Sequence, residues 1–169
     1  VSVGQFYSMI TVLLGFKPNR HEGKITGLAA FGKSTVLVDK FRKLWKYNDN
    51  NLERFPENYE DDLIYKLNKK INLREKINYK QVGNQILNKY THNNFLLIEW
   101  LKLETKGFSK EDIAYACQVI SQEIILNEIK LVFKENFKNQ CIKISLAGGV
   151  FANVRINQFI YELDFIDNI

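Results

Sequence analysis

Residues 27 to 35, GLAAFGKST, set Gly27, Gly32, Lys33 and Ser34 at the spacing G-x-x-x-x-G-K-[ST]. In a P-loop that spacing lets backbone N–H groups wrap phosphates while the Lys adds charge, and it requires a buried strand before the first glycine and a helix after the Lys-Ser pair. The preceding residues, NRHEGKIT, offer turn chemistry and only Ile25 and Thr26 as strand formers. Phe31 would also fill the cradle, and no later apolar strand ends in the Asp that holds Mg²⁺ in such enzymes. The match is expected to be accidental.

A second set of residues lies near the other end. CIKISLAGG alternates Ile142, Ile144 and Leu146 with polar positions and ends on Gly148-Gly149, and VFANVRINQFIYEL then resumes a helical pattern. Helix, strand, Gly-Gly turn and helix form an α/β unit whose turn lies at the carboxyl end of the strand, where open α/β sheets place ligands. Glycines there admit an anionic or nucleotide ligand to the backbone, ahead of a helix N-terminus. Asn153, four residues into that helix, offers donor and acceptor together for a ribose or base; its plain alternative is an exposed or capping amide.

The elements that must position these residues follow from periodicity. Phe6, Ile10, Leu13 and Leu14 give one face of a short helix that stops at Gly15, and KPNRHEG is a turn-rich loop. KITGLAAFG is apolar between glycines and too short to stand as an independent helix. Residues 34–108 are rich in Lys, Asn, Glu and Tyr and read as an insertion or helical lobe. There Val38, Phe41, Leu44 and Trp45 form a stripe, YNDNNLERFPENYEDD a loop with one short strand, and YKQVGNQILNKY and NNFLLIEWLKLE helices. Ser109 and Asp112 fit a capping box, and Ile113, Cys117, Ile120 and Ile124 continue a helix from Lys110 to Phe137.

Composition narrows the classes. A chain of 169 residues, 46% apolar and 25% charged, suits one folded domain or a large piece of one. The net charge of +5 is spread along the chain without a basic run, so no nucleic-acid partner is expected. The uncharged stretch Val3 to Phe16 contains Gly, Gln, Ser and Thr and falls short of a membrane span, and the protein is expected to be cytoplasmic. Cys117 and Cys141 have no ligand spacing and read as small hydrophobes. His21 and His92 read as loop or surface residues. Opening on Val1 inside what reads as an ordered element suggests a piece of a longer protein.

Two longer blocks carry a family resemblance. The first is G-x-x-Y-S-x-x-T-x-x-L-G-F through Gly4, Tyr7, Ser8, Thr11, Leu14, Gly15 and Phe16, followed by E-x-K-x-x-G-L-A-x-[FY]-G through Glu22, Lys24, Gly27, Leu28, Ala29, Phe31 and Gly32. The second is D-I-A-x-x-x-Q at Asp112 to Gln118, then L-A-G-G-V-x-x-N from Leu146 to Asn153. In order and spacing these blocks resemble the O-carbamoyltransferases that modify nodulation factors, cephamycins and aminoglycosides, and the Gly-Gly-Val turn is similar to that of the related enzymes making threonylcarbamoyl-adenosine in tRNA.

The resemblance implies an α/β fold, part of an actin-like ATPase (ribonuclease H-like) domain with a helix-rich inserted lobe. Its segments would be 1–33, 34–108 and 109–169. It implies carbamoyl phosphate, ATP and a small-molecule or sugar hydroxyl acceptor, with carbamoyl-adenylate as intermediate. A divalent metal, iron by the family's pattern, would be held by an upstream H-x-x-x-H that His21 and His92 cannot form, so this segment alone is not expected to turn over. Lys24 becomes the candidate for phosphate or carbamoyl oxygen, with Glu22 beside it for a ribose hydroxyl, and Gly27, Gly148, Gly149 and Asn153 complete the nucleotide side. Ser8 and Tyr7 are candidates to reach the nucleotide from the first helix, Tyr7 equally a packing residue. Competing readings are a kinase of the same superfamily, which needs a catalytic Asp not located here, and a non-enzymatic basic helical module.

Overall fold

A computed structural model describes residues 2–48, 51–54, 97–98, 100–137 and 140–168. Helix α1, Val3–Leu13, begins on Ser2, whose hydroxyl accepts from the Gln5 N–H while the Gln5 side chain accepts from the Ser2 N–H, a capping box that satisfies two otherwise orphaned donors. It ends where Gly15 turns to φ 82°, so that the Phe16 N–H reaches the Thr11 carbonyl and the Gly15 N–H that of Val12. That Schellman closure needs a left-handed residue, which glycine adopts without steric cost.

The KITGLAAFG stretch is helical as far as Ala29, contrary to expectation: α2 spans Glu22–Ala29. Ile25 and Ala29, one turn apart, are buried, and tertiary packing stabilises a segment whose glycines alone disfavour it. GLAAFGKST therefore starts at the end of a helix, not after a strand, and a short turn leads into α3, Thr35–Arg42, capped by Ser34. A hairpin follows, β1 Trp45–Asn48 antiparallel to β2 Asn51–Arg54, where a loop with one strand was expected. Residues 97–98 and 100–104 are helical, within the expected NNFLLIEWLKLE helix. The helix expected over YKQVGNQILNKY lies outside the described residues.

The organising element is α4, Lys110–Asn136, begun by Ser109 as its capping residue. Its inward positions combine Ile113, Ile120 and Ile124 with Ala114, Ala116, Cys117 and Ser121, and the small residues let neighbours approach closely. Phe6 and Ile10 from α1, Ile25 from α2, Leu37 and Phe41 from α3, and Leu97 and Leu101 pack against it in one buried cluster. Phe6 meets Phe41 edge to face at 5.7 Å, a favoured aromatic geometry. Both ends of the 34–108 segment thus contribute to the same core as the first motif. Arg42 ties α3 to α4 through a forked pair with Glu123, Nη2 to Oε1 at 2.7 Å and Nε to Oε2 at 3.0 Å.

A second buried cluster, Ile125, Ile156 and Ile160, joins α4 to α5, Val154–Tyr161. The strand expected from Cys141 to the Gly148-Gly149 turn is shorter, and Cys141, expected as a small buried hydrophobe, is exposed just before it: β3 is Ile142–Lys143, parallel to β4, Ile166–Asn168. Alternation promised a longer element, but a strand extends only as far as it is paired, and β4 offers three residues. Helices with a two-stranded parallel sheet make a helix-rich α/β arrangement.

Candidate functional site

The Gly-Gly turn is built as a short 3-10 turn, Gly149–Ala152, preceded by Gly148 at φ 104°. Only glycine holds that backbone comfortably, so Gly148 has a conformational requirement. Gly149 has none of that kind: a Cβ built there meets no atom within 4 Å. Asn153 is not inside the helix, as the sequence pattern suggested, but is the N-cap of α5. Its Oδ1 accepts from the N–H groups of Arg155 and Ile156 at 3.1 and 3.3 Å. Its Nδ2 donates to the Tyr7 hydroxyl at 3.0 Å and to Gln118 Oε1 at 2.7 Å. The amide is buried and its donor and acceptor are engaged within the protein. Tyr7 completes a triangle by donating to Gln118 Oε1 at 2.8 Å, and burial, with the neighbouring Cys117 adding, pushes its phenol well above the usual range.

In front of that triangle lies a cleft of about 600 Å³, lined by the start of α1, the 19–26 segment and residues 149–153. A volume of that order suits a small-molecule ligand. Ser8 and Glu22 share one wall: the Ser8 hydroxyl and the Asn19 N–H donate to Glu22 Oε1 at 2.7 and 2.6 Å. Partial burial opposes ionisation of Glu22, but the bonds from Ser8 and the Asn19 backbone outweigh it and hold the carboxyl below its ordinary pKa. Glu22 thus presents a fixed carboxylate, suited to accept from a ligand hydroxyl. Gly23 and Gly149 face the cleft, and a Cβ at either would enter open space.

The cleft gathers Ser8, Glu22, Gly149 and Asn153 from motif blocks more than a hundred residues apart, and leaves out Gly148 and, on α2, Lys24 and Gly27. The helical state of α2 explains this. Residues two apart on a helix point about 200° around the axis from each other, so turning Glu22 into the cleft turns Lys24 away. Lys24 is exposed, its ammonium 5.3 Å from the Phe16 ring centroid, where Lys110 also sits at 5.5 Å. Gly27 is helical with nothing near its absent side chain. The sequence singled out no cation in the cleft, yet Arg20 lines it, and its guanidinium makes no ion pair among the described residues. The signal available for Arg20 was only its place two residues before Glu22 in a polar loop.

The nearby GKS segment does bind an anion, one of the chain's own. Asp112 Oδ1 accepts from the N–H groups of Lys33 and Ser34 at 2.9 and 3.0 Å, and these contacts, with the Lys33 bond foremost, lower its pKa. Gly32 is required by packing: a Cβ there would stand 2.1 Å from the Glu111 carbonyl oxygen.

Residues 1–169 match the family model described as the carbamoyltransferase N-terminus. The chain belongs to the carbamoyltransferase family. Among curated proteins it is similar to an uncharacterised protein of Methanocaldococcus jannaschii, 31% identical over 162 residues that cover 95% of this chain and 21% of that protein. The chain therefore spans about a fifth of the length of that relative. In this carbamoyltransferase segment, no group of three or more His, Cys, Asp or Glu side chains placed to hold a metal ion comes together among the described residues. Among the same residues no helix is long and apolar enough to cross a membrane.

Proposed function

We propose that this segment forms the nucleotide side of an O-carbamoyltransferase site within an actin-like domain. The observation that supports it is the cleft uniting Ser8 and Glu22 of the first motif block with Gly149 and Asn153 of the second. In this reading carbamoyl phosphate is hydrolysed to carbamate and phosphate, the carbamate displaces pyrophosphate from ATP to give carbamoyl-adenylate, and a hydroxyl of a small molecule or sugar then attacks the carbamoyl carbon, losing its proton while AMP leaves. Arg20 takes the phosphate charge, since a guanidinium pairs with phosphate oxygens in a forked geometry. Open backbone at Gly23 and Gly149 admits the ligand closely. Glu22, already ionised and fixed by Ser8, accepts from a ribose hydroxyl. Asn153 holds the turn and the start of α5 in place. The divalent metal implied by the family would stabilise charge developing on oxygen; its ligands would come from outside this set of residues, and no step here runs through it.

Isothermal titration of the full-length protein with ATP tests the assignment. Arg20→Ala is expected to weaken binding by about 10-fold or more, the scale of a charge-assisted hydrogen bond, and Glu22→Ala by a smaller factor. Lys24→Ala should stay within about two-fold of wild type, as a solvated surface charge does. Loss of ATP binding in Lys24→Ala with full retention in Arg20→Ala would place the nucleotide elsewhere and overturn the proposal.

A further inference from the structure

Behind the cleft, one buried acceptor serves both walls. Gln118 Oε1 receives the Tyr7 hydroxyl proton at 2.8 Å and an Asn153 Nδ2 proton at 2.7 Å, and Asn153 also donates to the Tyr7 oxygen at 3.0 Å. Tyr7 belongs to α1, Asn153 to the turn before α5, and Gln118 to α4, which packs against both helices. Tyr7 and Asn153 line the cleft; Gln118 does not.

The proton arrangement permits one orientation. Asn153 must present Oδ1 to the two N–H groups that open α5, so its Nδ2 is directed at Tyr7 and Gln118. A flipped Asn153 amide would set NH₂ against two N–H donors. With Nδ2 incoming, Gln118 has to show oxygen, because its own NH₂ would oppose that of Asn153. The price of that choice is visible: Gln118 Nε2 is buried with no hydrogen-bond partner among the described residues. A buried orphan donor costs about 1–3 kcal/mol, which is tolerable where the acceptor end of the same amide closes a triangle.

We infer that Gln118 is a positioning residue: its carbonyl oxygen fixes the amide of Asn153 and the hydroxyl of Tyr7, and so sets the spacing of the two cleft walls without touching the ligand. The role at the ligand rests on the nucleotide reading above, whereas the coupling of Gln118 to the α5 cap does not.

The test uses the full-length protein with Gln118→Met, which keeps length and helix preference but has only a weak acceptor, and Gln118→Glu, which restores acceptor oxygens. Amide hydrogen exchange without ligand is the first readout. In Gln118→Met the Arg155 and Ile156 amides should exchange about five-fold faster, the scale of one net hydrogen bond. Amides in the middle of α4 should not change, and Gln118→Glu should return Arg155 and Ile156 toward wild type. Unchanged exchange at those two amides in Gln118→Met, or a uniform rise across α4, overturns the positioning role. ATP titration is the second readout: affinity should fall in Gln118→Met and recover in Gln118→Glu. If wild type binds no ATP while the exchange pattern appears, the nucleotide reading fails and the clamp stands. If ATP binds equally in all three, Gln118 supports the cap alone and its role in spacing the walls is overturned.

Discussion

Replacing the two glycines of GLAAFGKST by alanine, one at a time, should change stability in opposite directions. At Gly32 the new Cβ would lie 2.1 Å from the Glu111 oxygen, 2.6 Å from its carbonyl carbon and 2.6 Å from Tyr115 Cβ. Ordinary contact begins near 3.4 Å, so about 1.3 Å must open between this turn and α4. Two of the three obstructing atoms are backbone of the first turn of α4, which cannot rotate aside, and separation would also pull the Lys33 and Ser34 N–H groups from Asp112. Overpacking usually costs about 1–3 kcal/mol, and a backbone obstruction belongs at or above the top of that range. At about 2–4 °C per kcal/mol for a chain of this size, Tm should fall by roughly 6–12 °C. At Gly27 nothing lies within 4 Å and the backbone is helical, so alanine should stabilise by about 0.5–1 kcal/mol. Differential scanning calorimetry of both variants, with ATP titrations alongside, measures this. A Gly32→Ala protein melting within about 2 °C of wild type, or a Gly27→Ala protein that folds normally but loses ATP, would refute this packing account and return GLAAFGKST to phosphate binding.

Two further outcomes concern pH. Burial raises the pKa values of Tyr7 and Cys117 above their unfolded values, ordinarily about 10 and 8.5, so both stay neutral in the fold while the unfolded chain releases their protons. Stability is therefore complete below about pH 8 and falls as pH climbs past those unfolded values; urea midpoints should drop between about pH 8 and about pH 11, less steeply in Tyr7→Phe. Asp112 has the opposite sign: its lowered pKa stabilises the fold above the ordinary carboxylate range and is lost as pH falls through the folded value. Asp112→Asn should melt lower than wild type at pH 7 and show a shallower decline on acidification, and equal acid profiles would contradict the contact with Lys33 and Ser34.

The long helix was legible because every local signal agreed. Ser109 and Asp112 announced its start and an unbroken apolar spacing carried it to its end, so the expected and observed bounds differ by one residue. Helix α2 was hidden by its two glycines at positions 23 and 27, since propensity cannot anticipate that Ile25 and Ala29 would be buried against α4. That single misreading misplaced Lys24: without a helix, nothing put it on the face opposite Glu22. The strand after Cys141 was overextended because alternation reports faces and says nothing about where a pairing partner stops. Ser8, Glu22, Gly149 and Asn153 were named from the motifs and do meet at one cleft. Arg20 and Gln118 went unassigned because their importance lies in who faces them, which only the folded chain reveals.

The carboxylate of Asp112 on the Lys33 and Ser34 amides has a consequence for how this chain tolerates change in length. The two sides of that contact are separated by 79 and 78 positions, so it acts as a clasp at the base of everything between. Once a clasp fixes both ends, doubling the intervening span adds only about 0.6 kcal/mol of closure entropy. Outside α3 and the 97–104 helix, which belong to the core, that span can lengthen or shorten while the first motif block and α4 keep their mutual register, provided the glycine, the two amides and the distant acid are kept together.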